Sequence, residues 1–191
     1  MVEFTLTSAP PLAGYHQRFG SVTLRSPDEL AIVNMAIPLG KDGAAMKAVG
    51  SGYGVDLPEP GKSVVSKKGA ARLVRLAPDQ AFAIFTHPTP DAEEAVAKRI
   101  KTAFYLTDQT DVWTGLELSG PGSLAALERI CPIDLHPLSF AVDNAARTVM
   151  EHLGVLIIRT GEDQFLLLSA SSSARSFLHM LETSIKNVQQ N

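Results

Sequence analysis

The sequence predicts an α+β fold built of two ferredoxin-like βαββαβ halves, and three observations carry that prediction. The first is an internal echo. Arg75-Leu76-Ala77-Pro78-Asp79-Gln80 returns as Arg159-Thr160-Gly161-Glu162-Asp163-Gln164, with apolar runs before and after each copy, at an offset of 163 − 79 = 84. The second is that the same shift carries a helix-like segment at 90–103 onto another at 174–187. The third is the order of elements in the first half, where strand, helix, two strands, helix and strand follow one another. The expected division is 1–107, a half-domain with an irregular lead-in, and 108–191, its counterpart, the two forming one compact pseudo-repeated unit.

Each element has a local reason. Residues 1–20 are punctuated by Pro10, Pro11, Gly14 and Gly20 and read as irregular. Short β-branched runs at 21–25 and 29–37 read as strands separated by the turn pair Pro27-Asp28. Residues 43–49 have helix-forming composition, and the glycines at 50, 52 and 54 read as its stop. Residues 56–69, with Pro58, Pro60, Gly61 and three lysines, read as a long surface loop. Residues 72–76 and 81–85 flank a turn and form a hairpin. Asp91 and Glu94 have capping-box spacing ahead of Ala92, Ala95, Val96 and Ile100, and 103–106 supplies the closing strand.

In the second half, 112–118 reads as a strand. Ser119-Gly120-Pro121-Gly122 opens a helix bearing Leu124, Leu127 and Ile130, with Pro121 suited to a first turn. Residues 131–143 read as a loop, 147–152 as a strand passing through Leu153-Gly154 into 155–159, and 165–168 as the next strand. The last helix carries Ala174, Phe177, Leu178, Leu181, Ile185 and Val188 on one stripe.

Composition narrows the class. Apolar residues make up 45% and charged residues 19%, the balance of a folded globular chain. No run reaches the roughly 18 apolar residues of a membrane span, and Met1-Val2-Glu3-Phe4 lacks the basic and apolar regions of an export signal. A cytoplasmic protein without membrane contact is expected. The net charge of −3 supplies no electrostatic basis for nucleic acid. Cys131 is the single cysteine, which leaves no intramolecular disulfide and no cysteine-based metal site; a buried structural thiol is expected.

The chemistry-bearing residues do not assemble into a catalytic motif. Gly50-Ser51-Gly52-Tyr53-Gly54 lacks dinucleotide spacing and has no Lys-Ser/Thr behind it. The five histidines form no H-x-x-x-H pair. His87 beside Asp91, Glu93 and Glu94 is compatible with a small metal or acid–base cluster, although carboxylates in a first helical turn already serve its free N–H groups. Ser171-Ser172-Ser173 before the last helix suits an N-cap or an anion. Trp113, the single tryptophan, suits core packing or an interface anchor. The residues alone therefore give no catalytic, cofactor-binding or metal-binding assignment.

Five segments carry a family resemblance: 106–113 (Leu-Thr-Asp-Gln-Thr-Asp-Val-Trp), Leu118-Ser119-Gly120, Cys131-Pro132-Ile133-Asp134-Leu135, Arg147-Thr148-Val149-Met150-Glu151-His152, and Ser172-Ser173-Ala174 running into Phe177 through Glu182. Phe19-Gly20, Leu57-Pro58 with Pro60-Gly61, and Pro78-Asp79-Gln80 match more loosely. In order and spacing these resemble the gamma subunit of heterotetrameric sarcosine oxidase. Ser171 stands where that family commonly has Arg, and Ala81 where a Trp often follows Pro-Asp-Gln.

The resemblance implies a fold like the folate-binding domain of the glycine-cleavage T-protein. It implies partners, the alpha, beta and delta subunits, with flavins, NAD and tetrahydrofolate held in the partner subunits and no cofactor in this chain. The implied reaction of the assembly is oxidative demethylation of sarcosine to glycine. Its products are hydrogen peroxide and a one-carbon unit, captured by tetrahydrofolate or released as formaldehyde. The gamma subunit is implied to be accessory. Trp113, Arg147, Glu151 and His152 are the candidate subunit interface, because family-like residues cluster there without a catalytic need. The alternative is a free-standing folate-binding or one-carbon-transfer protein of the T-protein superfamily, although the chain lacks the K-G-C-Y-x-G-Q segment of folate-binding iron–sulfur repair relatives. A stand-alone binding module is a third reading.

Overall fold

The computed structural model describes residues 9–88 and 90–189; the first eight residues of the expected lead-in lie outside them. The first half runs β1 (His16–Phe19), β2 (Val22–Arg25), β3 (Leu30–Ala36), α1 (Asp42–Tyr53), β4 (Lys62–Val65), β5 (Ala71–Ala77), β6 (Gln80–Thr86), α2 (Ala92–Ile100) and β7 (Tyr105–Asp108). The second runs β8 (Trp113–Ser119), α3 (Ser123–Glu128), β9 (Ala145–Met150), β10 (Leu153–Gly161), β11 (Gln164–Ala170) and α4 (Ala174–Gln189).

Two antiparallel sheets result, ordered β4-β5-β6-β3-β7 and β1-β2-β8-β11-β10-β9. The 84-residue shift relates them strand by strand: β3 to β8, β4 to β9, β5 to β10, and β6 to β11. Even an irregularity repeats. The β5–β6 ladder slips between Arg75 and Ala77 opposite Gln80, and the β10–β11 ladder slips between Arg159 and Gly161 opposite Gln164. The expected pair of hairpins is present, in matching register.

The second half departs from the expected order at its end. Among the described residues no strand follows α4; the place that β7 takes beside β3 is taken beside β8 by β2, pairing Thr23 with Ser119 and Arg25 with Glu117. β2, expected to open the first half, thus completes the sheet of the second. The lead-in also contains β1, which hairpins onto β2. Gly120 permits the junction: its φ is 105°, and a Cβ there would sit 2.1 Å from the Ser21 carbonyl oxygen.

The sheets pack face to face. Ile32, Val74, Phe82 and Ile84 meet Leu156, Ile158, Leu166 and Leu168 between them. Alternate residues on the outer faces pack under helices: Val33, Leu73 and Ala83 under Val49, Val96 and Ile100, and Leu116, Ile157 and Leu167 under Phe177, Leu181 and Ile185. Strands covered on both faces read as unbroken apolar runs. The edges join where Lys62 bridges Asn144, with Ser63 N–H donating to the Asp143 carbonyl and Ala145 N–H to the Gly61 carbonyl.

Several local expectations are corrected. β4 lies inside the expected 56–69 loop; it is an edge strand, where lysines and polar residues are tolerated. α1 passes through Gly50 and Gly52 and stops at Gly54, whose φ of 71° suits a left-handed cap. Gly52 is a contact residue, since a Cβ would lie 2.7 Å from the Arg99 carbonyl oxygen of α2. The Asp91–Glu94 capping box does not form: Asp91 makes no side-chain cap bond and pairs with His87 instead. α3 ends at Glu128, before Ile130. β7 begins at Tyr105, after a 3-10 turn at Lys101–Ala103. β9 ends at Met150, so Glu151 and His152 form a two-residue turn.

Candidate functional site

The residues singled out around Trp113 and 147–152 converge where the six-stranded sheet overhangs the five-stranded one. Along β9, Ala146 and Met150 face the outer helices, and Ala145 faces the other sheet. Arg147 and Val149 share the inner face with Ala145, because side chains alternate along a strand. Arg147 pairs with Leu156 and Val149 with Gly154 across the ladder. The opposing sheet runs out here: a Cβ on Gly154 would meet nothing within 4 Å, and Val149 is 48% exposed. A shelf is left, floored by Gly154 and Leu156.

Trp113, Arg147, His152, Leu156 and Ala170 border a cavity of about 410 Å³ on this shelf. Trp113 is half-buried, its ring edge-on to Phe82 at 5.9 Å and its N–H donating to Gln109 Oε1 at 3.2 Å. It is neither enclosed in the core nor free; one side of the indole packs between the sheets and another borders the cavity. The Arg147 guanidinium lies 5.9 Å from the Phe82 ring centroid, a cation–π arrangement, and among the described residues it meets no carboxylate.

Glu151 faces away from that cavity. It lines a neighbouring depression with His152, Arg175, His179 and Thr183, and its φ of 52° lies in the left-handed region. His152 borders both concavities. The structure therefore brings Trp113, Arg147 and His152 together and places Glu151 next door. The candidate set read from the sequence left out Val149, Gly154, Arg175 and His179. A lone glycine inside a strand was the available signal for the second of these.

The other singled-out residues take structural positions. His87 Nε2 lies 2.8 Å from Asp91 Oδ1, and the hydrogen bond from His87 holds the Asp91 carboxyl below the usual range. Among the described residues no three His, Cys, Asp or Glu side chains form a group able to hold a metal ion. Cys131 is buried, which pushes its thiol pKa up. The Ser171 hydroxyl donates to the Asp111 carbonyl rather than capping α4. No helix of the described residues is long and apolar enough to cross a membrane.

A family model described as "Sarcosine oxidase, gamma subunit family" matches residues 40–186, well over half of the chain. The chain belongs to that family. Among curated relatives, the sarcosine oxidase subunit gamma of Corynebacterium sp. (strain P-1) is 31% identical over 162 residues, covering 85% of this chain and 79% of that one. The subunit gamma of Arthrobacter sp. is 30% identical over the same shares. Among solved structures, a chain of the heterotetrameric sarcosine oxidase from Corynebacterium sp. U-96, in complex with pyrrole 2-carboxylate, aligns with a TM-score of 0.75 at 25% identity, covering 88% of this chain and 85% of that one. The glycine cleavage system aminomethyltransferase T from Bartonella henselae aligns with a TM-score of 0.65 at 18% identity, over 84% of this chain and 45% of that one; that likeness is one of fold.

The repeat gives this gamma-family chain a second shelf to compare with the first. Val65, Ala70 and Thr86 stand 84 residues before Val149, Gly154 and Ala170, and they line a concavity of about 630 Å³ at the opposite end of the sandwich. There the charges are satisfied within the chain. Arg25 pairs with Glu117, and Arg72 Nη1 lies 2.5 Å from Asp143 Oδ1. Among the described residues the Trp113 shelf has no such pairing.

Proposed function

We propose that this chain serves as the accessory gamma subunit of a heterotetrameric sarcosine oxidase in the cytoplasm, assembling with alpha, beta and delta subunits. The assembly oxidatively demethylates sarcosine to glycine, yielding hydrogen peroxide and a one-carbon unit that is captured by tetrahydrofolate or released as formaldehyde. The flavins, NAD and tetrahydrofolate belong to the partner subunits, whose cofactors carry the redox chemistry. This chain contributes surface, with Trp113, Arg147, Glu151 and His152 at the contact. The observation that carries the reading is the alignment with a chain of the heterotetrameric enzyme over 88% of this chain and 85% of that one, a correspondence of nearly whole chains.

Co-expression with the alpha, beta and delta chains of the same source tests it. The expected outcome is one sedimenting species that contains all four chains, is yellow, and oxidises sarcosine. The chain purified alone is expected to carry no flavin absorbance and to produce no peroxide from sarcosine. A complex of the other three chains that excludes this one, with undiminished stability and activity, overturns the reading.

A further inference from the structure

The geometry points to β9 as a strand-addition edge: an extended segment of another subunit pairs with Arg147 and Val149, setting a carboxylate against Arg147 and an apolar side chain over Gly154. This rests on the subunit reading above and adds to it the edge, the backbone conformation and the chemistry of the occupant.

β9 is the outer strand of its sheet. Ala145 N–H points outward, since it donates to the Gly61 carbonyl across the edge. Antiparallel pairing turns successive residues alternately toward and away from the neighbouring strand, so the backbone groups of Arg147 and Val149 point outward as well, past the end of the β4 bridge at Lys62–Asn144. The other outer strands, β1, β4 and β7, have four residues each, whereas β9 has six. Short edges are one way proteins avoid adventitious pairing. β9 has no proline and no bulge, and its side chains on this face are a cation and a half-exposed valine.

Side chains on this face set the chemistry of the occupant. A strand laid along β9 sends alternate residues onto the inner face, beside Arg147 and Val149 and over the open space at Gly154. Arg147 has no carboxylate partner among the described residues, and His152, Arg175 and His179 line the adjoining concavities, with Glu151 the one carboxylate there. The twin shelf in the first half shows the closed alternative, with both arginines paired inside the chain. Arg147 on the shelf and Arg175 in the adjoining depression, against the single carboxylate of Glu151, match an acidic segment, and Trp113 with Leu156 matches an apolar residue beside it.

Hydrogen exchange on the isolated chain and on the four-subunit complex provides the test, with Thr148, whose amide faces β10, as internal reference. Assembly is expected to slow exchange at Arg147 and Val149 by about tenfold or more. Arg147→Glu is expected to weaken assembly by about tenfold or more, as loss of an interfacial charge pair does, while Arg147→Lys retains most of it. Val149→Pro, which removes an outward N–H without touching the β10 ladder, is expected to weaken assembly while the isolated variant keeps its circular dichroism spectrum. A complex that forms with both amides still exchanging freely overturns the inference and leaves the subunit reading standing. Protection that appears in the isolated chain as its concentration rises overturns the inference in favour of a second copy of this chain. Failure of the four chains to assemble overturns both.

Discussion

Arg159 offers the sharpest test of how the fold is held. It is 2% exposed, and among the described residues it meets only carbonyls and a ring. Nη1 donates to the Phe140 carbonyl at 2.8 Å and the Leu135 carbonyl at 3.2 Å, Nη2 donates to the Glu162 carbonyl at 2.5 Å, and the guanidinium lies 5.4 Å from the Phe165 ring centroid. Arg159→Met keeps comparable bulk and removes every donor. Leu135 and Phe140 are buried, so two acceptors lose their partners away from water, at about 1–3 kcal/mol each. Relief from burying the guanidinium offsets part of this, leaving a net loss of about 2–4 kcal/mol. That is a large fraction of the roughly 5–15 kcal/mol that holds a domain.

Its repeat mate is the control. Arg75 donates to the carbonyls of Pro58 at 3.2 Å and Pro78 at 2.6 Å, but Arg75 and Pro58 are only half-buried and Pro78 is exposed. Water replaces the lost donor there, so Arg75→Met is expected to cost about 1 kcal/mol or less. Urea unfolding of both variants, followed by the fluorescence of Trp113, measures the difference. Equal losses, or an Arg159→Met loss below about 1 kcal/mol, would refute the claim that this buried cation ties the 131–143 loop to the β10–β11 hairpin.

Two glycines of α1 are predicted to respond in opposite directions. Gly50→Ala, with nothing within 4 Å of its Cβ, raises stability by up to about 1 kcal/mol. Gly52→Ala, facing the Arg99 carbonyl at 2.7 Å, lowers it by about 1–3 kcal/mol; thermal unfolding of each variant distinguishes the signs. Tyr15 donates to Glu182 Oε1 at 2.6 Å, and that hydrogen bond holds the Glu182 carboxyl below the usual range. The stabilisation is full above the unfolded-state carboxylate pKa and is lost as pH falls through the lower folded value. Tyr15→Phe therefore costs about 1 kcal/mol at neutral pH and progressively less in acid, which a series of denaturation curves against pH reads directly. Glu151→Gly removes a left-handed strain at φ 52° and is expected to stabilise the isolated chain by about 0.5–1 kcal/mol, measured by the shift of its thermal midpoint.

The parts of the fold that could be read from the chain are those with local or repeated signals. The Arg-to-Gln echo located both hairpins because a turn and its flanking apolar runs are written in one stretch, and the shared 84-residue offset carried β3, β4 and α2 onto counterparts whether or not each was recognised. β4 was hidden because an edge strand needs few apolar residues, and only Ser63 of its four is buried. α1 looked shorter than it is because Gly52 was read for its propensity, while its function is to let α2 approach. The origin of β2's partner was not legible at all: pairing between residues 23 and 119 is a long-range choice with no local signature. At the candidate site, Trp113 and the 147–152 motif could be named, but the shelf that joins them exists only because one sheet outruns the other.

That overhang follows from the strand exchange. If the second half closed its own sheet with a strand after α4, the two halves would be separate units meeting by their inner faces. Instead the β1–β2 hairpin joins the second sheet, with β2 against β8 and Tyr15 against Glu182 of α4, so the expected division at 107/108 is crossed by backbone pairing. The bridge from Lys62 of β4 to Asn144, just before β9, crosses it again at the opposite edge. Two halves tied at both edges resist sliding, so whatever either shelf touches is presented at a set distance from the other end. Under the proposed subunit role that rigidity favours assembly, because a preorganised contact loses less entropy on binding. The duplication supplied two similar shelves. Ion pairs within the chain occupy one; the other holds a tryptophan, an arginine that meets no carboxylate among the described residues, and an outer strand edge.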